Sequence, residues 1–134
     1  MKMRKKVHAY NLQELLVVLV IIGILILIAM PNFMGVINKA KALEAQQQLK
    51  TLHGFQKSHL FLNNTYSADF NAIDFIPPKT TKEGGTANYT YEIIEATATG
   101  FKARAIGLND TDGDGIRNIW EIDQEGKPKE ISKD

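Results

Sequence analysis

The sequence predicts an α+β protein: one long N-terminal α-helix, apolar in its first half and amphipathic in its second, packed on a small antiparallel sheet of three or four strands. Three observations carry this. Residues 15–30 hold no charge and are apolar throughout apart from Gly23. Beyond Pro31, apolar residues recur at helical spacing as far as Phe55. After residue 87 the period drops to two, with aromatic and β-branched residues alternating with polar ones.

Composition narrows the function. At 134 residues the chain is one modest domain with an appendage. Its formal net charge of +1 hides an asymmetry: Lys2, Arg4, Lys5 and Lys6 are four of the 16 basic residues. The other 12, set against 15 acids, leave residues 10–134 at −3. A mildly acidic body is a poor non-specific nucleic-acid surface, and no nucleic acid is expected as its partner. There is no cysteine, which excludes disulfides, thiolate metal sites and cysteine nucleophiles. No Ser/His/Asp cluster or phosphate loop appears, so no catalytic residue is assigned and an enzyme is not expected.

The first 31 residues admit three readings. A secretory signal would need a small-residue cleavage site after its apolar run, and Ile28-Ala29-Met30-Pro31 does not offer one. A plain membrane anchor is the second. The uncharged run covers only ~24 Å at ~1.5 Å per residue, and extending it from Leu12 to Phe33 or Met34 reaches the ~30 Å of a bilayer core. The basic flank would hold the N-terminus in the cytoplasm and place the body outside. Neither reading explains Glu14, an acid at the mouth of the apolar segment. An ionised carboxylate in hydrocarbon costs about 2.5–3.5 kcal/mol and usually has a partner.

The third reading gives Glu14 its partner. A short basic leader ending at Ala9 is followed by Tyr10, Asn11, Leu12, Gln13, Glu14 and then the apolar run, with Gly23 and Pro31 inside it. This arrangement resembles the type IV pilin and type II secretion pseudopilin family. The resemblance implies cleavage between Ala9 and Tyr10 by a prepilin peptidase, and N-methylation of the new amine. Ala9 stands where the family carries glycine, and is small enough for a tight cleavage pocket. A methylated amine keeps its positive charge. On a helix it lies one turn from Glu14, so Glu14 of one subunit can pair with the Tyr10 amine of a neighbour and fix axial register. The resemblance further implies a pilin-like fold, self-association into a helical filament, and a pilus or secretion machinery driven by a cytoplasmic ATPase.

The domain organisation follows: a leader over residues 1–9, a transmembrane or filament-core helix over 10–31, its amphipathic continuation over 32–62, and a β-rich region over 63–134. Pro31 should kink the helix rather than end it, because helix-forming sequence resumes at once. Phe33, Val36, Ile37, Ala40 and Leu43 share one face, and Ala42, Ala45, Leu49, Leu52 and Phe55 continue a stripe. The helix should run to about His59. His53 and His59, six residues apart, read as helix-surface residues. Asn63, Asn64 and Thr65 break the helix. Residues 66–75 resemble the loop after the long helix in pilins, which is pinned back by an aromatic, an acid and a later apolar pair. Residues 77–85 form a Pro/Gly/Lys-rich surface loop, and the pilin resemblance implies that this region faces outward and is where partner contacts are expected.

Strands are expected over residues 88–95, 101–108 and 116–123, with a short fourth over 129–131. Between the second and third lies Asp110-Thr-Asp-Gly-Asp-Gly-Ile-Arg-Asn-Ile-Trp-Glu121. The spacing is that of a twelve-residue calcium loop. Asp110, Asp112 and Asp114 would supply carboxylates, Ile116 a carbonyl, Asn118 a direct or water-bridged contact, and Glu121 a bidentate carboxylate. Oxygen ligands at this density repel unless a cation neutralises them. The competing reading is an Asp/Gly-rich turn with solvated acids.

The expected function is thus a structural subunit of a type IV pilus-like or type II secretion filament, first inserted in the cytoplasmic membrane. The body, having no disulfide-bounded loop, leans towards a pseudopilin. The alternative is a single-pass, membrane-tethered extracytoplasmic binding or sensor domain, calcium-dependent if the acidic loop holds metal, that never polymerises.

Overall fold

The computed structural model describes residues 11–134, with the side chains of residues 31, 32 and 34 left aside. The chain forms two compact units, one up to Lys39 and the other Ala40–Asp134, each described by itself. A single helix, α1, is assigned over Leu12–Asn63, continuing through Pro31. The expected cleavage residues Ala9 and Tyr10 lie outside the described residues.

In the first unit α1 is apolar all round. Leu15, Leu16, Val17, Val18, Leu19 and Val20 are each about half exposed, and Ile24, Leu27 and Ile28 are exposed to the same degree or more. By length and composition this part of α1 could cross a membrane. Asn11 caps the helix: its side-chain oxygen accepts the Glu14 amide at 3.4 Å, a long bond.

The second unit joins the end of α1 to a four-stranded antiparallel sheet in the order β1-β2-β3-β4, with β1 Tyr89–Ala96, β2 Phe101–Gly107, β3 Ile119–Asp123 and β4 Lys129–Ser132. Each strand pairs with the one that follows it in sequence, as a meander does. Alternation decides the faces. Tyr89, Tyr91, Phe101, Ala103, Ala105 and Ile122 are buried, and Ala45, Leu49 and Leu52 of α1 join them in one core. A bulge at Ile94 shifts the β1 register, so that Glu95 stands opposite Lys102.

The buried stripe of α1 differs in detail from the sequence expectation. Ala45, Leu49, Leu52 and Gln56 are buried at steps of four, three and four, whereas Phe55 is exposed on the adjacent face. Phe33, Val36 and Leu43 are exposed as well. Gln56 is fully buried because the loop after α1 pairs with both ends of its amide. Its nitrogen donates to the Ser67 carbonyl at 2.6 Å and its oxygen accepts the Ser67 amide at 3.0 Å. Tyr66, Ile73 and Phe75 pin the same loop by burial, with the Tyr66 ring 5.1 Å from Phe101 and Phe75 6.3 Å from Tyr91. The helix continues past His59 to Asn63, and β3 begins three residues later than expected, at Ile119.

Candidate functional site

Two places carry the residues that the sequence singles out. The first is the start of α1. Glu14 sits in its first turn, exposed, with the apolar surface following immediately. A carboxylate near a helix N-terminus meets the positive end of the helix dipole. Among the described residues no ion pair reaches it.

The second is the turn between β2 and β3. Asp110 organises it, accepting the Gly113 amide at 2.8 Å and the Gly115 amide at 2.6 Å through its two carboxylate oxygens. Gly113 and Gly115 have φ of 78° and 84°, backbone that only glycine adopts readily. Asp112 accepts the Asp114 amide and Asp114 accepts the Ile116 amide, the latter at 2.7 Å. Asp134, beyond β4, closes over this turn. Its carboxylate accepts the Thr111 amide and the Thr111 hydroxyl, both at 2.8 Å.

The structure therefore assembles a different acid set from the expected loop. Asp110, Asp112 and Asp134 each place a carboxylate oxygen within 4.8 Å of the others. Asn118 is engaged elsewhere: its oxygen accepts the Tyr89 hydroxyl at 2.7 Å and the Trp120 indole N–H at 2.8 Å, while its nitrogen donates to Glu130 and to the Ser132 carbonyl. Glu121, on β3, accepts the Arg104 guanidinium at 2.9 Å. Strand alternation puts it on the sheet's outer face beside Arg104, its cross-strand partner.

Electrostatics in the turn match the crowding. The Asp114 amide favours the ionised form of Asp112, but partial desolvation and the carboxyls of Asp114 and Asp110 outweigh it and hold Asp112 above its ordinary range. Asp134 is held below its ordinary range by the Thr111 amide first and the Thr111 hydroxyl second. Nearby, burial first and the Glu44 charge second push the Tyr89 hydroxyl up to about 12. Glu44 itself ties α1 to the sheet by accepting both the Asn88 amide and the Asn88 side chain at 3.0 Å.

Three contacts escaped the sequence. His53, read as a surface residue, donates a ring N–H to the Gln124 carbonyl at 3.1 Å and so holds the β3–β4 turn against α1. Gln56 and Asp134 act across loops whose return path no local pattern records.

The chain is similar to pilins of two bacteria. It is 40% identical over 77 residues to "Type IV major pilin protein PilA" of Myxococcus xanthus, a match covering 58% of this chain and 35% of that protein. It is 28% identical over 97 residues to "Type IV wide pilus major component PilA4" of Thermus thermophilus, covering 72% of this chain and 71% of that protein. The match thus spans about a third of the length of the first relative and about seven-tenths of the second. No protein-family model matches the chain.

Proposed function

We propose, from its similarity to two type IV pilins, that this chain is a structural subunit of a type IV pilus-like filament. The observation that carries the reading is the start of α1: a surface apolar on every side, with one acid, Glu14, in its first turn. An all-round apolar helix needs lipid or other such helices to cover it. Lipid would serve before assembly and neighbouring subunits after it.

The processing and assembly steps belong to the same proposal. The basic residues at the N-terminus stay in the cytoplasm and the body lies outside. A prepilin peptidase cuts between Ala9 and Tyr10, and the Tyr10 amine is methylated. Glu14 of each subunit then pairs with the Tyr10 amine of a neighbour inside the apolar core, where a buried ion pair acts as a register device. Head-to-tail association of this type leads to open helical fibres. Both similar proteins carry pilus names, which favours a pilus over a secretion filament.

Calcium enters as a second element of the proposal, at the β2–β3 turn. Asp110, Asp112 and Asp134 offer hard oxygen ligands of the kind calcium takes, and a cation there would offset the desolvation first and the Asp114 charge second that raise Asp112. In a body without cysteine the metal would staple the turn to the segment that follows β4.

The test is the intact mass and N-terminal sequence of the protein from its native membranes, with filament yield from wild type and from Glu14→Ala. A chain starting at Tyr10, and a variant that inserts but yields few or no filaments, are the expected results. A chain starting at Met1 would support the tethered-domain alternative. Normal filament yield from Glu14→Ala would remove the proposed pairing.

A further inference from the structure

On the outer face of the sheet, charged residues stand opposite one another in register across all four strands. Glu92 of β1 faces Arg104 of β2, Arg104 faces Glu121 of β3, and Glu121 faces Lys129 of β4. The signs alternate from one edge of the sheet to the other. A second row follows the same rule, with Glu95 facing Lys102 and Lys102 facing Asp123.

The inner members satisfy one another. Arg104 meets Glu121 at 2.9 Å, and Lys102 lies 3.8 Å from Glu95 and 3.9 Å from Glu121. The two ends of the longer row do not. Glu92 and Lys129 are exposed, and among the described residues neither has an ion-pair partner. Glu95 shares the β1 edge with Glu92, though it is bridged to Lys102, and on β4 Glu130 follows Lys129 on the opposite face of the strand. On the outer face the row thus ends in acid at β1 and in base at β4.

We propose that these edges meet between copies of this chain: the β1 edge of one subunit lies beside the β4 edge of the next, with Glu92 against the partner's Lys129. This rests on the filament reading above and supplies a lateral contact between bodies, separate from the pairing at Glu14. A second copy is the occupant because each copy carries both complementary ends, on opposite sides. The contact is therefore heterologous and can repeat without closing. A two-fold arrangement of β1 edges would set Glu92 against Glu92. The contact runs through side chains, since charge on an edge strand opposes direct strand addition. Exposed pairs of this kind fix register and partner choice more than affinity.

The chain has no cysteine, which makes cross-linking specific. Filaments of the Glu92→Cys/Lys129→Cys variant, treated with a short bismaleimide, should give a ladder of covalent dimers, trimers and longer species, while each single variant stays monomeric. Normal filaments without a ladder would overturn the contact and leave the filament reading intact. Dimers from a single variant would overturn it too, by showing a two-fold contact. If wild type forms no filaments, both readings fall together. Should the double variant not assemble, the two single variants are co-expressed with wild-type chains that carry the filament. A covalent dimer then supports the contact, and its absence overturns it.

Discussion

Replacing Gln56 by alanine would remove both hydrogen bonds to Ser67 at once and leave that backbone unit without its partners. A buried polar group left unpaired costs about 1–3 kcal/mol, so Gln56→Ala should lower the denaturant midpoint of the body by that much stability. Gln47→Ala, exposed on the same helix, should stay within about 0.5 kcal/mol. Equal midpoints for the two variants would mean that Gln56 does not anchor the loop. Gln56 also marks where reading the residues alone falls short. Counting apolar spacing placed Phe55 on the buried stripe, because phenylalanine is apolar and glutamine is not. The fold reverses them, since a partner eleven residues away makes the amide cheap to bury. Helical periodicity locates a stripe to within one residue, and that one residue is about 100° of rotation.

At the scale of the element, strands were the more legible because period-two alternation fixes both extent and face. The four strands fall within a residue or two of their expected positions, apart from the later start of β3. The same alternation explains why Glu121 does not join the acidic turn: on β3 its position faces Arg104. The local Asp spacing was visible, whereas the arrival of Asp134 depends on the β3–β4 return. A chelation experiment tests the resulting acid set. Extracellular calcium modules bind with Kd of about 10⁻⁴–10⁻³ M, so ~10 mM calcium should stabilise the body by about 1.4–2.7 kcal/mol. That corresponds to a rise in Tm of roughly 5–15 °C, reversed by chelator and lost in Asp112→Asn. A melting curve indifferent to calcium would leave a plain turn held by its own amides.

For the molecule as a whole, the division at Lys39 separates two kinds of surface. The first unit is apolar and exposed; the second has a core of its own that includes the end of α1. Residues Ala40–Asp134 should therefore fold as a soluble, cooperatively melting body without the preceding helix. Near-ultraviolet circular dichroism would show fixed aromatic packing. Its absence, with helix content retained, would mean that the core needs the first unit. The long helix, the small sheet and the pilin resemblance could be read from the sequence because each rests on a long periodic pattern or a spaced motif. Contacts between distant loops rest on neither.

The order of the sheet also has a kinetic consequence. Neighbouring strands are consecutive in the chain, joined over residues 97–100, 108–118 and 124–128. Each pairing closes a short loop at small entropic cost, and such topologies fold fast. The longest reach is the docking of α1, which Glu44 and Asn88 secure across 44 residues of chain and His53 and Gln124 across 71. The body can thus build its meander by local steps and dock the helix last. Its apolar strands then lie open to other chains only briefly, which limits aggregation while the body folds.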